Sequence, residues 1–280
     1  MRDTIIFAGQ SNTFGLGLEW EHDPELNSEE YLSKGVDLPI PRKRYYETDY
    51  WQKYRWSTLT SKELGYKEYN AQDSENGGLM GGGAADTMWH LFDRQEFFKD
   101  LLGRTKYIVL EIGHIRWWDE NLHGAPGGEQ LPNTPIEMEN YLNSKNPDKQ
   151  IVQKIAEWIG KYDSVKFWED TFKKVIEFEK MNPEIKIIFM PWHGDSKDLM
   201  LKENRIYKSV MKNYLDIGEY GSINSFLIKN KLYVNDKALA FSGKYPILAK
   251  YGESHASTEG QRKIADMLIT HIKKLENEQK

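Results

Sequence analysis

The sequence predicts an α/β fold, a three-layer α/β/α arrangement around a parallel sheet. Three observations carry this expectation: short apolar runs that read as buried strands, helical periodicity between and after them, and polar or glycine-rich segments directly following each run. Thr4 to Ala8, Tyr107 to Ile112 and Ile185 to Met190 are the three strands. Lys67 to Ala71 is a weaker fourth, entered from a helix over Ser57 to Leu64 that Gly65 terminates. A helix over Val165 to Met181 carries a stripe of Phe167, Phe172, Ile176 and Phe178, and Asn182-Pro183 stops it. The last helix is marked by Thr258 and Gln261 at capping-box spacing and by Ile264, Met267, Leu268, Ile272 and Leu275 at helical intervals. Its Glu-Lys alternation reads as a solvated face.

In a doubly wound sheet, ligands bind outside the carboxyl ends of the strands. The segments after Ala8, Ile112 and Met190 are therefore expected on one edge. No internal repeat or linker divides the chain, so 1–280 is expected to be a single domain with lid or loop insertions at 19–55 and 119–149. Nine Trp and 13% aromatic residues are a high count; they either line a cleft or plug the core beneath long loops.

Composition excludes several functional classes. A net charge of −5, with Arg42-Lys43-Arg44 the only short basic run, provides no nucleic-acid footprint. The absence of Cys removes disulfides, thiolate metal sites and cysteine nucleophiles. Neither a signal peptide nor a membrane-spanning stretch is legible, so a soluble, cytoplasmic protein is expected, and its oligomeric state is left open.

Chemistry is concentrated at the two ends of the chain. Gly9-Gln10-Ser11-Asn12 follows the first strand, where a serine hydroxyl is presented at the strand's carboxyl end. Thr13 in fifth position separates it from the Gly-x-Ser-x-Gly elbow. His255 stands just before the last helix, and serine becomes a nucleophile at neutral pH when an imidazole takes its proton. Gly15-x-Gly17 lacks the third glycine of a dinucleotide fingerprint, and Gly81-Gly82-Gly83 lacks the Lys-Ser/Thr of a phosphate loop. His114, His193 and Asp195 match no short metal motif, so no metal is expected.

These blocks resemble the SGNH (GDSL-like) hydrolases. Gly9-Gln10-Ser11-Asn12 is similar to the first block of carbohydrate O-acetylesterases of that superfamily, and His255-Ala256-Ser257 with Gly260 is similar to its last. Thr13 to Leu18 and Trp56 to Asn70 look like uncharacterised SGNH-like proteins encoded by tailed phages, for which the host cytoplasm is the implied location. The resemblance implies a flavodoxin-like sheet and an acyl-enzyme on Ser11 with His255 as base. Its implied oxyanion donors are the N–H groups of Ser11 and Gly78, with Gly77 an alternative.

Two positions depart from the pattern. Gly252 stands where the family has its Asp, leaving Glu253, a backbone carbonyl or a Ser-His dyad. After Gly113, Ile115 replaces the donor Asn, and His114 or Arg116 is the candidate substitute. Loss of one such donor typically costs about a hundred- to a thousandfold in rate. Gln10, Asn12, Arg116, Trp117 and His193 are the expected substrate contacts. A small-molecule or carbohydrate ester is the expected substrate, with no cofactor. Acyl transfer on the same site, or a binding protein that kept the fold, are the alternatives.

Overall fold

The computed structural model describes residues 2–9, 13, 15, 17–22, 49–73, 76, 92, 94–112, 164–192, 213–234 and 255–278. The strands are β1 (Thr4–Ala8), β2 (Lys67–Asn70), β3 (Thr105–Ile112) and β4 (Lys186–Pro191). The helices are α1 (Leu18–His22), α2 (Tyr50–Tyr54), α3 (Trp56–Leu64), α4 (Lys99–Arg104), α5 (Ser164–Met181), α6 (Ile223–Lys229) and α7 (Thr258–Asn277).

Among the described residues all strand pairs are parallel, in the order β2-β1-β3-β4, the order in which a flavodoxin-like sheet begins. Ile6 pairs with Ile108, and Leu110 with Phe189, so alternate residues fall on alternate faces. On one face Ile5, Phe7, Tyr107, Val109, Ile188 and Met190 pack with Trp56 of α3, Leu227 of α6, and Ile264, Leu268 and Ile272 of α7. On the other, Ile6, Ala8, Ile108, Leu110, Ile187 and Phe189 pack with Leu102 of α4 and Val175 and Phe178 of α5. These two cores make the three layers. The mainly apolar β1, β3 and β4 bury residues on both sides, whereas β2, polar in sequence, is the edge next to β1. Beyond β4, Tyr214 bridges Phe189 in parallel and Leu215 N–H donates to Phe189 O at 2.9 Å, continuing the sheet's hydrogen bonding.

Several expectations need adjustment. β2 stops at Asn70, although Ala71 N–H still reaches Phe7 O at 2.9 Å. Gly65 does end α3, at φ +73° with its N–H on the carbonyls of Lys62 and Ser61. In α5 the buried residues are Val175 and Phe178, with Ile176 half-buried; the side chains of Phe167 and Phe172 lie outside the described residues. The capping box at Thr258 is not formed. Ser257 is the N-cap, its Oγ accepting from Gly260 N–H at 3.1 Å, while buried Gln261 turns away to accept Trp56 N–H at 2.9 Å. Nor is the acidic and basic face of α7 wholly solvated: Glu276 accepts from Lys106 Nζ at 2.8 Å and from Tyr66 OH at 2.7 Å.

The expected loop insertion 19–55 begins and ends in helix, at α1 and α2; the insertion 119–149 lies outside the described residues. Trp51, Trp56 and Trp192 are all buried, which gives these three aromatics to the core rather than to an open cleft. No helix among the described residues is long and apolar enough to cross a membrane.

Candidate functional site

Because the four described strands run the same way, the carboxyl ends of β1, β2, β3 and β4 share one edge, from which β1 leads into the first sequence block. Gly9 leaves β1 with no room for a side chain: a Cβ would lie 2.6 Å from Glu111 Oε2 and 2.7 Å from Thr13 Cβ. Thr13 is fully buried, and its hydroxyl donates to Glu111 Oε2 near the end of β3. From the other side, Asn70 at the end of β2 donates through Nδ2 to Thr13 O at 2.8 Å and to Ser57 Oγ at 3.1 Å. Asn70 Oδ1 accepts Gln72 N–H at 3.0 Å, and Gln72 Nε2 donates to Gly9 O at 2.7 Å. Both neighbours of β1 therefore hold Thr13.

Against the turn at Gly15 lies a buried cation. Arg55 grips Asp73 with two nitrogens, at 2.6 and 2.9 Å, reaches Glu68 at 3.0 Å and sits 4.9 Å over the Trp51 ring. Burial works against its charge, but the hydrogen bond and field of Asp73 and the charge of Glu68 outweigh it and hold the guanidinium above its usual range. A buried charge persists only when paired this way. Glu68 also accepts from Ser57 and Thr58, each at 2.6 Å, so α3 and β2 are tied to the same cluster.

Gly15 and Gly17 adopt φ of +91° and +98° and allow two close approaches. A Cβ on Gly15 would meet Arg55 Cβ at 2.8 Å, and one on Gly17 would meet His255 Cβ at 2.9 Å. The turn after the serine block thus packs against the histidine of the last block.

His255 is buried, on the segment that enters α7. Its backbone is fixed by Val234 N–H donating to His255 O at 3.1 Å, the antiparallel Tyr233–Ala256 bridge, and Ser257 N–H donating to Leu232 O at 2.8 Å. Gly260 permits this fit, since a Cβ there would lie 2.5 Å from Leu232 O. On the far side α1 clamps the helix start. Glu21 Oε2 accepts Thr258 N–H at 2.6 Å and its hydroxyl at 2.5 Å, placing a carboxylate at the positive end of α7. His22 Nε2 lies 2.6 Å from Thr258 Oγ1 and its ring stacks on Tyr54 at 4.0 Å. Burial lowers the His22 imidazole below its ordinary value, against the opposing charge of Glu21.

Of the site residues expected from sequence, His255 is described. Gln10, Ser11, Asn12, Gly77, Gly78, His114, Arg116, Trp117, His193 and Glu253 lie outside the described residues. So do Arg42 to Arg44, Gly81 to Gly83, Ile115, Asp195 and Gly252. Among the described residues no group of three or more His, Asp or Glu is arranged to hold a metal ion.

No protein-family model matches the chain, and neither a curated protein nor a solved structure matches it. The site also contains residues that sequence reasoning passed over. In the sequence Thr13 stands out as a departure from the Gly-x-Ser-x-Gly elbow and as the start of the Thr13 to Leu18 resemblance, and Glu111 is one acid in a mainly apolar strand, which is the signal that sequence offers for it. Gln72 and the Arg55–Asp73 pair carried no local signal, because their partners are distant in sequence.

Proposed function

We propose that the chain is a serine esterase that cleaves a small or carbohydrate ester, with an O-acetyl group the preferred acyl moiety, through an acyl-enzyme on Ser11. The observation that carries this reading is the packing of Gly17, six residues beyond Ser11 in the chain, against buried His255, in a fold whose β1 leads into the serine block at the carboxyl edge of a parallel sheet. Nucleophile and base come from opposite ends of the chain, and that edge is where doubly wound sheets bind ligands.

In the first step the His255 imidazole takes the Ser11 proton while Oγ attacks the ester carbonyl carbon. The oxyanion that forms is met by the N–H groups of Ser11 and Gly78, with Gly77 and His114 as further donors. Collapse of this intermediate expels the alcohol, which leaves with the proton carried by His255. His255 then removes a proton from water, and hydroxide attack on the acyl-enzyme releases the acid and restores Ser11. Glu253 is the candidate to orient the imidazole. Arg116 supplies positive charge toward the substrate, and Gln10, Asn12, Trp117 and His193 supply its remaining contacts.

Steady-state hydrolysis of p-nitrophenyl acetate tests the proposal. The wild type is expected to turn over, and His255→Ala to lose about a hundred- to ten-thousandfold, the usual contribution of a positioned base. A wild type that hydrolyses no short acyl ester would sink it.

A further inference from the structure

We infer that Tyr233 is a positioning residue for His255, tying the segment that carries the histidine to the carboxyl end of β4 through Asn224; the inference rests on His255 being the general base. β4 ends at Pro191, and the carbonyl of the buried Trp192 that follows accepts Asn224 N–H at 2.8 Å. Asn224 is the second residue of α6, and first-turn amides have no partner inside their own helix, so this bond seats α6 on the end of the strand. Asn224 Oδ1 then accepts the Tyr233 hydroxyl, with Asn224 O more distant at 3.5 Å. Tyr233 in turn faces Ala256 in an antiparallel bridge. The two flanking backbone bonds, Val234 N–H to His255 O and Ser257 N–H to Leu232 O, clasp the histidine segment on both sides of Ala256.

The chain doubles back after α6 to make this contact. Lys231 turns it, at φ +56°, a conformation that glycine adopts more easily, and Leu232 N–H returns to Leu227 O at 2.9 Å. Leu232 and Val234 are buried and Tyr233 is half-buried. Apolar burial holds the segment down but has no preferred direction. The tyrosine hydrogen bond is directional and fixes where the segment lies against α6. Burial pushes the Tyr233 hydroxyl above its ordinary value, so it stays a donor at neutral pH. Without that bond the 232–234 segment can slide, and His255, whose carbonyl hangs from Val234 N–H, moves with it.

Tyr233 does not touch the reacting atoms in this account, so the test separates positioning from support. Tyr233→Phe removes the hydroxyl and keeps the ring. Asn224→Leu removes the side-chain acceptor and leaves only the carbonyl at 3.5 Å, beyond normal hydrogen-bond range, whereas Asn224→Asp keeps an acceptor. Tyr66→Phe is the matched control, deleting a tyrosine hydroxyl bond to Glu276, 2.7 Å long, from the residue that precedes the amino end of β2. Each variant is melted and assayed for kcat and KM on p-nitrophenyl acetate, beside wild type and His255→Ala. Tyr233→Phe and Tyr66→Phe are expected to lower Tm alike, by about 1–6 °C. Tyr233→Phe and Asn224→Leu are expected to lose about ten- to a hundredfold in kcat with KM within about twofold, since a displacement of up to about 1 Å costs that much. Asn224→Asp and Tyr66→Phe are expected to keep most of the wild-type rate. If Tyr233→Phe melts like Tyr66→Phe yet keeps the wild-type kcat, the tie is structural support only, and this inference fails while the wild-type and His255→Ala rates still uphold the esterase reading. If Asn224→Asp falls as far as Asn224→Leu, the hydrogen bond does not carry the effect and the inference fails in the same way. If the wild type turns over no short acyl ester, both fail together.

Discussion

Gly17→Ala isolates the contact on which the active-site reading depends. An alanine Cβ at this position would lie 2.9 Å from His255 Cβ, against about 3.5 Å for the closest ordinary carbon–carbon contact, so about 0.6 Å must be made up. The backbone at φ +98° adds a conformational cost of about 1–3 kcal/mol for a residue with a side chain. Against a typical domain stability of about 5–15 kcal/mol the variant still folds, with Tm lowered by about 2–4 °C for each kcal/mol lost. If His255 takes up the displacement, its imidazole moves relative to Ser11, and the rate falls about ten- to a hundredfold, equivalent to about 1.4–2.7 kcal/mol of barrier. Gly15→Ala is the matched control. It has a similar φ of +91°, but its Cβ would press on Arg55 Cβ at 2.8 Å instead of on the histidine. Paired melting curves and fluorophosphonate labelling rates should show similar stability losses in the two variants and a much larger rate loss in Gly17→Ala. Equal rate losses, or an unaffected Gly17→Ala, would refute the placement of His255 as the base.

Two further outcomes concern the framework. Ser257→Ala removes the observed cap of α7 and should cost about 1 kcal/mol, seen as a fall of about 2–4 °C in Tm. At the opposite edge of the sheet, burial raises the Glu276 carboxyl, but hydrogen bonds from Lys106 and Tyr66 outweigh it and leave the group below its usual value of 4.5. A carboxyl depressed in the folded state stabilises the protein above its unfolded value, and that contribution is lost as pH falls through the folded one. Lys106→Met should therefore lower Tm most near neutral pH, and the gap from wild type should close as melts are taken from pH 5 toward pH 3.

Much of the framework was legible because it is written in local patterns. β1, β3 and β4 are mainly apolar runs, Gly65 supplies the left-handed residue that ends α3, and α7 repeats its apolar residues over 20 positions. What escaped depends on partners far along the chain. Ser257 and Thr258 both offer plausible caps one residue apart; the choice is made by tertiary contacts, since Gln261 is drawn to Trp56 and Thr258 to Glu21. Helices α1 and α2 have only five residues each, too few to show periodicity or to be stable alone. They are held by the His22–Tyr54 stack and the Glu21–Thr258 bonds. The same limit applies to the site. The proposed Ser11 and His255 rest on sequence motifs, whereas the Glu111 contact with Thr13, 98 residues away, is visible only in the folded chain.

The central claim is that Ser11 is a nucleophile activated by His255. Intact-mass spectrometry with peptide mapping after fluorophosphonate treatment addresses it most directly. A single adduct on Ser11 in the wild type, none in Ser11→Ala and strongly slowed labelling in His255→Ala is the predicted result. An unlabelled wild type, or an adduct that persists in Ser11→Ala, would contradict it.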